Sequence, residues 1–160
     1  MSLLIITVGG TIDKVYFDAS SEYEVGEPTV PHVYQGALVT LDYELLPLMR
    51  KDSLEMTESD RVLIRETCEQ VEQDKILITH GTDTMADTAE ALAGLEGKTI
   101  VLTGAMAPAR FRETDAVFNI GVATGAVQAL PPGVYIAMNG QIFPAGQVRK
   151  NREERRFEAV

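Results

Sequence analysis

The sequence predicts an α/β fold: a three-layer, open and mainly parallel sheet with helices on both faces. Short apolar runs alternate with segments in which apolar residues recur at helical spacing, the pattern of strand–helix–strand crossovers. Strands of a parallel sheet covered on both faces read as continuous apolar runs of this kind. With 160 residues, 45% of them hydrophobic, the chain has the size of one domain. We expect a single domain over residues 1–160, with no second, C-terminal domain.

Four strands are predicted, each short, apolar and followed by a glycine or polar turn. They cover residues 3–8, 75–79, 99–103 and 134–138. The polar stretch 9–34, between the first two strands, is predicted as a long loop, and loops of that length usually carry function.

Three helices are predicted. T-E-S-D at residues 57–60 is typical of a capping box and starts a helix over 58–73. A second helix begins near Thr84, and a third covers 114–130 and ends at Pro-Pro-Gly. The predicted core positions of the first two helices are Val62, Ile64, Val71, Met85, Ala89 and Leu92.

Charge and composition exclude several classes of partner. The net charge of −10 and pI near 4.6 argue against nucleic acid and against an anionic membrane surface, since both repel an acidic protein. Cys68, the single cysteine, is expected as a buried or half-buried thiol in a helix. The first apolar run is too short to span a membrane and is expected as a buried strand. We therefore expect a cytoplasmic protein that acts on a small molecule, without metal or cofactor.

Two glycine turns with hydroxyl side chains follow predicted strands. The first is Gly9-Gly10-Thr11 and the second is His80-Gly81-Thr82-Asp83. In open α/β sheets, ligands bind at the carboxyl ends of the strands, where both turns lie. Each turn also has a purely structural interpretation, a tight glycine turn in the first case and a helix N-cap at Thr82 or Asp83 in the second. Their joint occurrence favours a site.

A threonine hydroxyl needs a base before it becomes a nucleophile. His80 is expected to be a structural hydrogen-bonding residue and His32 to lie in the long loop, so neither is chosen. A partly buried lysine can accept a proton, and Lys150 is the candidate, although by position alone it resembles a surface lysine. The charged residues around it are expected to form a solvated helix face or a subunit contact. These are Arg149, Arg152, Arg155 and Arg156 with Glu153 and Glu154.

At these residues the chain resembles the bacterial-type L-asparaginases and glutaminase-asparaginases. The shared motifs run through nearly the whole chain in the family's order. They are G-G-T-I at 9–12, H-G-T-D-T-M at 80–85, T-G-A-M with a following proline at 103–108, D-A-x-x-N at 115–119, and M-N at 138–139. An ordered set of this size is far more specific than one glycine-threonine turn.

The resemblance implies roles for particular residues. Thr11 matches the nucleophile that attacks the side-chain amide of L-asparagine, and Thr82, Asp83 and Lys150 match the family's proton relay. Asp83 would also meet the substrate ammonium, and Ser53 the substrate carboxylate. Tyr23 matches a lid tyrosine that orients the nucleophile. Backbone N–H groups of the turns at Gly10 and Gly81 would bind substrate and stabilise the oxyanion. The sequence leaves open which threonine attacks first.

The chain also departs from the family. Members are about twice this length and complete each site with the second domain of a neighbouring subunit, so a homodimer or homotetramer is expected. Leu54 replaces the glutamine usual after the serine. Three functions remain open: an asparaginase with weaker glutaminase activity, a binding module with negligible turnover, and an ammonia-supplying amidotransferase subunit.

Overall fold

The computed structural model describes residues 2–160. In chain order the elements are β1 (Leu3–Gly9), β2 (Lys14–Phe17), β3 (Glu22–Val25), α1 (Val30–Gly36), β4 (Tyr43–Lys51), α2 (Glu58–Gln70), β5 (Lys75–Thr79), α3 (Met85–Leu92), β6 (Thr99–Thr103), α4 (Ala116–Ala129), β7 (Gly133–Met138), β8 (Gln141–Pro144), β9 (Val148–Asn151) and β10 (Arg156–Ala159).

A six-stranded sheet in the order β4-β1-β5-β6-β7-β8 forms the middle layer. The first five strands in this order run parallel to their neighbours, and β8 pairs antiparallel with β7. Asn139 and Gly140 join these last two strands, both with positive φ, which is the geometry of a tight hairpin turn. Because the parallel strands all end at one edge, the turns after β1 and β5 lie side by side.

Alternate residues of the strands enter two separate cores. On one face, Ile6 and Ile78 lie against Ile64 and Cys68 of α2 and against α3. On the other face, Ile5 and Leu77 lie in a second cluster with residues of α1 and α4. This alternation is the two-residue period of a strand with both faces buried. The predicted three-layer α/β fold is confirmed.

The predicted central strands and helices agree with the structure within a few residues. Thr57 and Asp60 form the capping box of α2, and Met85, Ala89 and Leu92 are buried. Cys68 is buried, and burial raises the pKa of its thiol to about 12.

Two details of the helix predictions are wrong. Helix α2 ends at Gln70 because the backbone at Val71 is extended. Val62 is 53% exposed, since Ile64 and Cys68 define the buried face of α2 and Val62 lies to one side of it.

The predicted loop at 9–34 contains regular structure. A single 3-10 turn, Thr11–Asp13, leads into a hairpin of β2 and β3, and α1 follows with His32 inside it. Asp13 joins these parts, because its buried carboxylate accepts hydrogen bonds from the Thr29 amide (2.9 Å) and hydroxyl (2.6 Å). Burial raises the pKa of Asp13, against the opposing effect of these bonds.

The expected C-terminal helix face is also wrong. Residues 148–159 form a hairpin of β9 and β10, with the arginine-rich turn between them. Val148 and Phe157 are buried on either side of that turn and anchor the hairpin in the core. Within residues 2–160, no helix combines the length and hydropathy that crossing a bilayer requires.

Candidate active site

The two glycine turns meet backbone against backbone. Gly10 has φ +90°, and a methyl group in its place would overlap the backbone of Gly81. The Gly10 amide donates to the Lys51 carbonyl at 2.9 Å, which ties the first turn to the end of β4. A methyl group at Gly81 would in turn overlap the side chain of Ser53. Glycine is required at both positions because only its backbone allows this approach.

A cavity of about 350 Å³ lies over the two turns. It brings together four of the predicted catalytic residues, which come from three distant parts of the chain. Its lining residues are Thr11, Thr82, Asp83, Met106, Lys150, Arg152 and Arg155.

Lys150 makes the central contacts of this cavity. Its Nζ donates to Thr82 Oγ1 at 2.7 Å and to Asp83 Oδ1 at 2.8 Å. The lysine hydrogen bond lowers the pKa of Asp83, and Arg152 adds to this effect, so Asp83 remains a carboxylate at neutral pH. A hydroxyl, an amine and a carboxylate are thus joined in one hydrogen-bonded chain, which is what a proton relay needs.

The structural interpretation of the second turn does not hold. Thr84, not Thr82 or Asp83, occupies the N-cap position of α3, and its side chain makes no capping hydrogen bond. The Thr84 hydroxyl instead donates to the Ser53 carbonyl at 2.8 Å. The side chains of Thr82 and Asp83 are therefore available to the cavity.

The D-A-x-x-N motif supports a third turn. The Asp115 carboxylate accepts hydrogen bonds from the amides of Met106 (2.8 Å) and Ala107 (3.0 Å), and Asn119 Nδ2 donates to the Gly104 carbonyl at 2.9 Å. These bonds hold the turn after β6 in place, and that turn presents Met106 to the cavity.

Ser53 and Tyr23 lie outside the cavity lining. Ser53 is 1% exposed, and its hydroxyl accepts a hydrogen bond from the Asp83 amide at 3.1 Å. Tyr23, on β3, borders a neighbouring cavity. Its ring lies at an angle to those of Tyr16 and Phe111, with centroids 5.4 and 5.8 Å away. The roles implied for Ser53 and Tyr23 stay predictions.

Three residues of the cavity were not expected from the sequence: Met106, Arg152 and Arg155. Arg152 Nε donates to Asp83 Oδ1 at 3.2 Å, and its Nη2 donates to the Asp83 carbonyl oxygen at 3.3 Å. Among residues 2–160, no cluster of three or more His, Cys, Asp or Glu side chains has an arrangement that could hold a metal ion.

Comparison with known proteins identifies the family. The family model "Asparaginase, N-terminal" matches residues 2–159. An L-asparaginase from Thermococcus kodakarensis is 31% identical over 94% of this chain and 48% of its own length. Its solved structure superposes with a TM-score of 0.82, covering 100% of this chain and 51% of that one, at 26% identity.

A second kind of relative matches a shorter segment. One of the proteins that make up the glutamyl-tRNA(Gln) amidotransferase of Methanococcus vannielii is 44% identical over 42% of this chain and 16% of its own length. The chain spans about half the length, or less, of the relatives it matches. On the family model and the overall similarity, this chain belongs to the asparaginase family, in the region of that family's N-terminal domain.

Proposed function

We propose that the protein is an amidohydrolase that converts L-asparagine to L-aspartate and ammonia, with L-glutamine as a weaker substrate. The observation that carries this proposal is the contact of Lys150 with both Thr82 (2.7 Å) and Asp83 (2.8 Å) in a cavity that Thr11 also lines. Similarity to an L-asparaginase over nearly the whole chain supports the same activity.

In the proposed first step, Thr11 Oγ1 attacks the amide carbon of the substrate. Its proton passes to the relay of Thr82 and Lys150, and Asp83 stabilises the positive charge of that relay. Backbone N–H groups of the turns at Gly10 and Gly81 stabilise the oxyanion. The relay returns the proton to the leaving nitrogen, so that ammonia departs and an ester of Thr11 remains.

In the second step, water attacks the ester carbon and loses a proton to the same relay. The ester bond breaks, the Thr11 oxygen regains a proton, and L-aspartate is released. Asp83 Oδ1 takes hydrogen bonds from Lys150 and Arg152, whereas Oδ2 accepts none from residues 2–160 and is the proposed partner of the substrate ammonium. In this proposal Tyr23 orients the Thr11 hydroxyl after the hairpin of β2 and β3 moves toward Thr11.

A second candidate function is the supply of ammonia to a larger assembly. The similarity to a component of an amidotransferase over 42% of the chain favours it. The proposed chemistry of ammonia release is the same, but the product would pass to a partner. In the main proposal the chain forms a homodimer or homotetramer, as expected from the family resemblance, and is located in the cytoplasm.

Ammonia release from L-asparagine and L-glutamine tests the proposed activity. We expect turnover of asparagine by the wild-type protein, and a loss of at least about 100-fold in kcat for each of Thr11→Ala, Thr82→Val and Lys150→Met. That loss is the scale on which positioned nucleophiles and proton-transfer groups act. Thr67→Ala is the matched control, because the hydroxyl of this half-buried threonine bonds only within α2, to the Leu63 carbonyl.

Each negative result of these assays would contradict a different part of the proposed function. Normal turnover by Lys150→Met would refute the proton relay while leaving the activity in place. A thermal shift with L-aspartate but no ammonia from any substrate would replace the hydrolase with a binding module. Turnover that appears only when an amidotransferase partner is added would favour the second candidate.

A further inference from the structure

Ser53 and Leu54, the segment to which the family resemblance assigns the substrate carboxylate, add no side chain to the lining of the cavity. Ser53 is 1% exposed and lies under Gly81, where its hydroxyl accepts a hydrogen bond from the Asp83 amide. The next residue, Leu54, is 70% exposed and has no polar group to offer. Neither residue borders the cavity that contains Thr11.

The positive charge of the cavity lining favours the binding of an anion. Arg152 and Arg155 contribute two permanent positive charges to the lining, and Asp83 contributes the single negative charge. The lining is therefore positive although the whole chain carries a net charge of −10. Glu153 and Glu154, in the same turn as the two arginines, are exposed and do not line the cavity.

The two arginines have donors to spare. Arg152 uses two of its five N–H groups on Asp83, one on the carboxylate and one on the carbonyl. Arg155 makes no hydrogen bond or ion pair with any residue in 2–160, yet it borders the cavity beside Met106. The Arg155 backbone has φ 51°, a left-handed conformation that is costly for a residue with a side chain. A planar guanidinium matches a carboxylate with two parallel hydrogen bonds.

We propose that Arg152 and Arg155 form the carboxylate-binding end of the site and hold the α-carboxylate of the substrate while Thr11 attacks its amide. This proposal rests on the proposed amidohydrolase function, for which it names the substrate class: an ω-amide that carries a free carboxylate. Arg152 would contact the substrate carboxylate and also holds the carboxylate of Asp83, which is the proposed partner of the substrate ammonium.

The test compares two substrates that differ in one group. L-asparagine has the carboxylate, whereas 3-aminopropanamide keeps the amide and the ammonium but lacks the carboxylate. We expect Arg155→Gln to raise KM for L-asparagine by about tenfold, the usual effect of losing a charge-assisted hydrogen bond, with kcat within about twofold. Arg152→Gln should raise KM by a similar factor and also lower kcat, because Arg152 holds the carboxylate of Asp83 in the relay. The kinetics of Arg155→Gln with 3-aminopropanamide should stay at the wild-type values.

Calorimetric titration with L-aspartate, which is not turned over, gives a readout independent of catalysis. We expect its Kd to rise by about tenfold in each glutamine variant and to recover in part in Arg155→Lys. Arg149→Gln is the matched control, because Arg149 lies on the same hairpin but pairs with Glu158 and does not border the cavity.

Failure of this proposal is distinguishable from failure of the proposed function. An unchanged KM and Kd in Arg155→Gln, or an equal loss with 3-aminopropanamide, would overturn the carboxylate assignment in an active enzyme. Absence of ammonia from wild-type protein would refute the hydrolase, and the titration would still test the arginines. A wild-type protein that does not bind L-aspartate would overturn the carboxylate assignment directly.

Discussion

His80 holds the second turn through both ring nitrogens. Its Nδ1 donates to the Gly81 carbonyl at 2.6 Å, which leaves Nε2 to accept from the Thr88 hydroxyl at 2.8 Å. Arg61 Nε donates to the same hydroxyl at 3.3 Å. Burial lowers the pKa of His80 to about 4, against the raising effect of the Gly81 carbonyl, so the ring is neutral at physiological pH. The expectation that His80 is structural is confirmed.

The neutral state of His80 makes stability depend on pH. Between about pH 6.5 and about pH 4 the unfolded chain binds a proton at this residue and the folded chain does not. The unfolding free energy should therefore fall as the pH falls through this window, by about 3 kcal/mol in full. Urea unfolding at several pH values measures the slope, and His80→Gln should remove this contribution. An NMR titration in which the His80 ring shifts near pH 6.5 would contradict it.

The sequence motifs predicted which side chains lie together. Thr11, Thr82 and Asp83, from the glycine turns at strand ends, line one cavity with Lys150, and their catalytic roles stay predictions. Arg152 and Arg155 were missed because arginines in a charged segment most often face solvent. Their positions depend on the β9–β10 hairpin. Its two buried apolar residues, Val148 and Phe157, are nine residues apart, so the sequence lacks the alternation of apolar and polar residues that predicts a strand.

The β9–β10 hairpin is the element on which the site depends most. It carries Lys150, and a two-stranded hairpin alone is only marginally stable. Asn139, in the turn after β7, ties it to the main sheet because its Oδ1 accepts a hydrogen bond from the Phe157 amide at 2.7 Å. The M-N motif thus has a physical role, since Asn139 also tolerates the positive φ of its turn.

Removing this tether should loosen the hairpin. Asn139→Gly keeps the backbone conformation and loses the acceptor, so we expect the unfolding free energy to fall by about 1 kcal/mol. The Phe157 amide should exchange with deuterium faster than in the wild type. Asn139→Asp is the matched control, because it retains an oxygen acceptor and also tolerates positive φ. Equal protection of the Phe157 amide in Asn139→Gly and in the wild type would contradict the role of Asn139.

Elements at the sheet edges were the hardest to predict. The central strands β5 and β6 are continuous apolar runs, because neighbours and helices bury them on every side. Strand β4 at one edge has largely exposed or half-buried side chains and contains Pro47, which an edge tolerates because it needs no ladder hydrogen bond on its outer side. Leu45, Leu46, Leu48 and Met49 of β4 are apolar, but Pro47 interrupts the run, and a proline argues against a strand when only the sequence is known.

At the scale of the molecule, one sheet with a core on each face accounts for nearly all the buried apolar residues. The alternation of short apolar runs with helical segments predicted this arrangement, because a sheet covered by helices on both faces buries its central strands. The expectation of a single domain over residues 1–160 remains a prediction. The relatives are about twice as long, and the sequence pattern of this segment contains no information about the rest of them.

We expect the protein to self-associate more strongly as the salt concentration rises. Each copy carries a net charge of −10, so two copies repel one another at long range. Raising NaCl from about 10 mM to about 150 mM shortens the Debye length from about 30 Å to about 8 Å, which should weaken the repulsion and favour the homodimer or homotetramer. Sedimentation velocity over a range of protein concentrations measures the mass at each salt concentration. A fully active monomer at every concentration and salt level would refute the proposed oligomer, because the site would then need no neighbouring copy.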